Sequence, residues 1–177
     1  MVQPLATSSQ IASEPPDRSL QYPLLDERLV GASLRVIVDD GDVYKNREVI
    51  VSIEKLEGVV SIRHHVYNTS RGLLPVSVSP KTPNPTRDNG ILMVVKGDHC
   101  GKYVRRIHHR YHEDDGNKQT LILLAVVNKV DGAADTLTGE QFELGPDSLC
   151  VASETNEEKK LNANLMDSLR ENVRKRR

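Results

Sequence analysis

What most constrains this chain is a series of short β-branched runs, each closed by a turn signal within a few residues. Leu34–Val38 is followed by Asp39-Asp40-Gly41-Asp42. Glu48–Glu54 gives way to Leu56-Glu57-Gly58, and Val59–Tyr67 to Asn68-Thr69-Ser70-Arg71-Gly72, before Leu73–Val78. Runs of this length with glycine and asparagine between them predict strands joined by tight turns. Four such strands in succession form a meander, which suits a small barrel rather than a helical domain.

A second set of runs begins after Ser79–Asn89, where Pro80, Pro83 and Pro85 predict an extended, stiff spacer. Ile91–Lys96 reads as a strand, and so does Lys102–His112. Glu113–Lys118 is a polar, glycine-containing hairpin tip. Leu121–Val127 is apolar on both faces and therefore central. Gly132–Gly139 reads as a loop, and Gln141–Leu144 and Leu149–Val151 as two short closing strands. From Glu154 the period changes to helical. Leu161, Leu165, Leu169 and Val173 recur every four residues, with glutamates at the start and arginines at the end. A helix is expected over about Glu157–Arg174. No internal repeat is visible by residue identity, although two barrels of similar layout remain compatible with that.

Composition narrows the function classes. Lys plus Arg is 24 against 25 Asp plus Glu, a net charge of −1, so the chain is not a uniformly basic coat for DNA. One phenylalanine, five tyrosines and no tryptophan are too few for an extended base-stacking platform. The longest apolar run, Leu121–Val127, is seven residues, against the roughly 20 a membrane helix requires. The first twenty residues lack a basic start and an apolar core, so no secretory signal is read there. Cys100 and Cys150 make no disulfide framework, and an intracellular protein with reduced thiols is expected. The histidines and cysteines lack the paired short spacing of a zinc site. Neither a phosphate loop nor a nucleophile–base set is present, so no catalytic residue, metal or cofactor is expected.

The segment Met93-Val94-Val95-Lys96-Gly97-Asp98-His99-Cys100-Gly101-Lys102-Tyr103-Val104-Arg105-Arg106-Ile107 resembles the KOW motif of NusG-type elongation factors and certain ribosomal proteins. In that motif an apolar strand leads into two glycines four residues apart and then a basic strand. Gly97 and Gly101 match the glycines. The third glycine frequent in the family is absent, since Lys102-Tyr103-Val104 runs straight on. Gly139–Leu149 is similar to the closing strands of such SH3-like barrels. The resemblance extends over residues 91–153 and implies a barrel that contacts RNA, DNA or RNA polymerase without catalysis.

The expected architecture is therefore all-β: two small SH3-like β-barrel modules at 31–80 and 91–153, joined by a proline-rich linker at 81–90. A disordered N-terminus (1–30) and a C-terminal helix with a basic end (154–177) flank them. The expected function is nucleic-acid-associated binding in transcription elongation or RNA handling, in the nucleus. Lys96, Lys102, Arg106, His108 and Arg110 are the candidate contacts, and Gly97 and Gly101 the backbone turn. Alternation predicts that Tyr103, Arg105, Ile107, His109 and Tyr111 face the barrel, while Lys102, Arg106 and Arg110 form one outer ridge for phosphate. The alternative is a protein-interaction module using barrel edges and the helix stripe Leu161, Leu165 and Leu169. The basic cluster Arg174–Arg177 reads as a nuclear import signal, an RNA-contacting end or a favourably charged helix terminus.

Overall fold

A computed structural model describes residues 18–41, 44–66 and 68–176. The disorder expected of residues 1–17 lies outside the described residues. From residue 18 onward the expected tail is instead built structure. A short helix α1 (Arg18–Gln21) leads into two 3-10 turns, Pro23–Leu25 and Glu27–Leu29. These carry Leu24, Leu25 and Leu29 into the core, the last with 0% exposure. Pro23 presets the first turn, and the Asp26 side chain caps the second by accepting from the Arg28 N–H.

Among the described residues ten strands form two five-stranded antiparallel sheets, the all-β, two-module class expected from the sequence. The first comprises β1 (Ser33–Val38), β2 (Arg47–Leu56), β3 (Val59–Val66), β4 (Thr69–Leu73) and β5 (Val78–Pro80), in the order β4-β3-β2-β1-β5. The second comprises β6 (Ile91–Val94), β7 (Tyr103–Asp114), β8 (Asn117–Asn128), β9 (Thr136–Leu144) and β10 (Leu149–Val151), in the order β10-β6-β7-β8-β9. The two orders are the same. Each module also places one 3-10 turn between its fourth and fifth strands, at Pro75–Ser77 and Pro146–Ser148. Leu74-Pro75-Val76-Ser77-Val78 and Gly145-Pro146-Asp147-Ser148-Leu149 thus occupy equivalent corners. The plan repeats although the residues barely do.

The β7–β8 hairpin forms where its polar tip predicted. Asp115 and Gly116 both take positive φ (47° and 80°) between the paired residues Asp114 and Asn117. That conformation matches the strand twist, and glycine adopts it without a Cβ penalty. The loop between β8 and β9 is shorter than expected, because β9 already begins at Thr136.

The two modules are not beads on a spacer. Lys81 donates to the Arg35 carbonyl and accepts from the Val151 N–H, bridging β1 to β10. Leu34 pairs with Ala152, and Ser153 N–H donates to Ser33. One core contains Leu34 and Val36 of the first module together with Ile91, Met93 and Cys150 of the second. The expected extended spacer is only partly formed: Lys81 ties into both modules, but residues 84–89 close into a local turn, with Arg87 N–H donating to the Asn84 carbonyl and the Asn89 side chain bonding back to Asn84, and Pro83 is buried.

Helix α2 (Asn156–Lys175) begins with a capping box between Thr155 and Glu158. Its inward face differs from the leucine stripe. Glu158, Asn162, Met166 and Leu169 are buried, while Leu161 is 48% exposed. Polar side chains occupy the inside because they have partners there: Asn162 Oδ1 accepts from the Asp135 N–H at 2.8 Å, and Glu158 Oε2 from the Thr155 N–H. Met166 and Leu169 pack with Ile107 and Ala125. Leu169 is therefore committed to the fold and not left for a partner. No helix among the described residues is long and apolar enough to cross a membrane.

Candidate nucleic-acid interface

The geometry of the site turns on one residue of β7. Arg106 pairs with Leu124 and His108 with Leu123, so Ile107 is an extra residue in the ladder, a β-bulge. It is buried among Ala125, Met166 and Leu169. Side chains of paired residues share a sheet face, and one inserted residue reverses the alternation beyond it. Arg106 stands opposite Leu124 and Arg110 opposite Leu121, so the two fall on either side of this break in the alternation. The expected single ridge of Lys102, Arg106 and Arg110 does not form. Nor is the even-numbered set an outer face: Val104 has 0% exposure, because the sheet is covered on both sides at that point.

Two of the three cations are also engaged by β9. Lys102 Nζ lies 2.8 and 3.1 Å from the two carboxylate oxygens of Glu140. Arg110 forms a two-pronged pair with Glu143, both contacts at 2.6 Å. Lys96 is exposed in a separate groove beside Tyr22, Val76 and Asp147.

Arg106 is different. Its Nε donates to the Pro85 carbonyl at 2.7 Å, and Nη2 lies 2.9 Å from His109 Nδ1, with no carboxylate among its hydrogen bonds. Together with Ile107 and His108 it faces Arg170, Val173 and Arg174 of α2 across a groove of about 290 Å³. Asp88, outside the groove's lining, pairs with Arg170 at 2.8 Å. Burial, and then the like charge of Arg170, hold the Arg106 guanidinium below its usual range, with Asp88 pulling weakly the other way. Among the described residues the groove is thus lined by three arginines and no carboxylate. Arg106 and His108 were legible as candidates. Arg170 was legible only as a charge suited to a helix end, and Arg174 as part of the basic cluster read also as an RNA-contacting end, though their spacing of four already put them on one face.

Gly97 and Gly101 both take positive φ, 80° and 89°. Gly101 does make a close approach, but to the chain itself. A Cβ there would sit 2.8 Å from the Arg28 carbonyl oxygen. Arg28 Nη1 also donates to the Gly97 carbonyl at 3.3 Å.

Behind the groove lies a buried ion triad. Arg105, 3% exposed, donates from Nε to Asp135 at 2.9 Å and from Nη2 to Glu154, whose other oxygen accepts from the Ile91 N–H. Burial disfavours the charged guanidinium, but the two carboxylates outweigh it and raise the Arg105 pKa. Sequence reading placed Arg105 simply among the inward residues, without partners 30 and 49 positions away.

Among the described residues no group of three or more His, Cys, Asp or Glu could hold a metal ion. Both cysteines are buried and reduced. Burial, reinforced by Asp26, pushes the Cys100 thiol to about 11, and burial pushes Cys150 to about 12. The thiolate is the reactive form, so neither should react with iodoacetamide at neutral pH in the folded protein, while both should in denaturant. Mass spectrometry of the native and unfolded samples checks this, and rapid native labelling at either site would contradict their burial.

No protein-family model and no curated protein matches this sequence.

Proposed function

We propose that the chain is a non-catalytic module that binds the phosphate backbone of a nucleic acid, with the groove between β7 and α2 as its contact surface. The observation that carries this reading is the convergence of Arg106, Arg170 and Arg174, with His108, on one concave site whose described lining includes no carboxylate. Guanidinium groups match phosphate oxygens in charge and fork geometry. A groove short of counter-charge gains a partner on binding, whereas Lys102 and Arg110 would have to leave glutamates. The KOW resemblance of residues 93–107 supports the same reading, and with it a setting in transcription elongation or RNA handling.

The test is binding of labelled RNA and DNA across a salt series. Alanine at Arg106, Arg170 or Arg174 should each weaken binding alike on every sequence, since phosphate carries no base identity, and should reduce the salt slope by about one. Lys102→Ala and Arg110→Ala should change the slope little. Equal binding by the triple groove variant and the parent at low salt would overturn the proposal, as would a parent that binds neither polymer. A salt-insensitive association with protein would instead favour the interaction-module reading.

A further inference from the structure

Resting on the phosphate-binding reading, we infer that the ligand is single-stranded and that Tyr111 stacks on a base beside the groove. The arrangement of β7 places the two features in sequence. β6 pairs with β7 only as far as Ile91 opposite Arg105, and β9 meets β8 only from Leu144 opposite Ile122. Beyond those points β7 and β8 continue as a two-stranded ribbon to the turn at Asp115-Gly116. From Arg106 onward the β7 edge has no strand beside it, so the Arg106 guanidinium both lines the groove and reaches His109 at 2.9 Å. The His109 ring meets Tyr111 edge-on, with centroids 5.7 Å apart and planes at 87°. Tyr111 is 68% exposed. The path from the groove to an open aromatic ring is thus continuous through Arg106 and His109.

The far end of the ribbon, past Tyr111, selects the form of nucleic acid. Glu113, Asp114 and Asp115 crowd the tip. A duplex brings a second phosphate backbone, which these carboxylates repel, and it keeps its bases stacked inward, away from a side chain. A single strand can lay one phosphate in the groove and turn the adjoining base onto Tyr111. Every base has a π-face, so such a step tolerates sequence and does not distinguish ribose from deoxyribose. One ring serves one base, in keeping with a chain poor in aromatics.

The experiment uses the full chain with oligouridine, oligothymidine and a blunt duplex of equal length, across salt. Tyr111→Ala should weaken both single strands by roughly five- to 150-fold, leave the salt slope unchanged and leave any duplex binding as it was. Tyr111→Phe should bind as the parent does. Arg170→Ala should lower the slope whether or not Tyr111 is present. Circular dichroism confirms that the exposed substitution leaves the fold intact. A loss confined to one of the two single strands would overturn stacking that is indifferent to sugar. If Tyr111→Ala has no effect while the groove variants still weaken binding, or weakens duplex and single strands equally, the stacking inference is overturned and phosphate binding stands. If the parent binds none of the three, both fail.

Discussion

Arg105→Met should destabilise the chain by about 3–5 kcal/mol, the range for removing one partner of a buried ion pair. The side chains of Arg105, Asp135 and Glu154 are at most 4% exposed. Loss of the guanidinium strands two carboxylates away from water, and Glu154 keeps only its hydrogen bond from the Ile91 N–H. The triad also joins β7 to the loop before β9 and to the residue preceding the Thr155 cap, so its failure reaches the docking of α2. Urea unfolding measures the loss as a fall in midpoint at constant slope. Because the two modules share a core, a single transition is expected. Arg105→Lys should recover only part of the stability, since a lysine lacks the fork that serves two acceptors. Replacing all three residues by apolar ones should recover more than either, because the stranded charges go with their partner. A loss below about 1 kcal/mol for Arg105→Met would mean that water reaches the two carboxylates.

Periodicity exposed most of the fold because it is a local signal. β1 alternates strictly, with Leu34, Val36 and Val38 inward, and any reader of Leu-Arg-Val-Ile-Val sees that. The Thr155–Glu158 capping box and the Asp115-Gly116 turn are equally local. The duplicated strand order lies in the connections, which residue identity does not reveal. The candidate site was harder to read for a different reason. A bulge adds one residue without any composition to announce it, and beyond Ile107 every inference from alternation reverses. The glutamates that engage Lys102 and Arg110 lie 38 and 33 residues away on β9, so no window of sequence contains both partners. Asn162 lies outside the leucine stripe and is polar, so nothing local marks it as buried. Only the Asp135 N–H that it satisfies makes it an inside residue.

The largest contrast expected within the motif is between its two glycines. Gly97→Ala should cost about 1–2 kcal/mol, the penalty for holding an L-residue in the left-handed region. Its φ is 80°, but no atom lies within 4 Å of the added Cβ. Gly101→Ala carries the same penalty at φ 89° and adds a steric one. The new Cβ would meet the Arg28 carbonyl oxygen at 2.8 Å and the Arg28 Cβ at 3.2 Å. A backbone carbonyl cannot swing aside as a side-chain end can, and Leu29, fully buried next to it, anchors the turn. Overpacking of this kind adds roughly 1–3 kcal/mol, for a total of about 2–5 kcal/mol with the conformational penalty. Equal losses for the two variants in urea would show that residues 26–29 yield easily and do not clamp the turn. The folded Gly97→Ala protein then asks a functional question. The groove of Arg106, Arg170 and Arg174 lies elsewhere on the second module, so nucleic-acid binding should survive this change. A loss of binding without unfolding would place the open Gly97 corner against the ligand, as the KOW resemblance implies for a motif whose other glycine is already occupied by the chain itself.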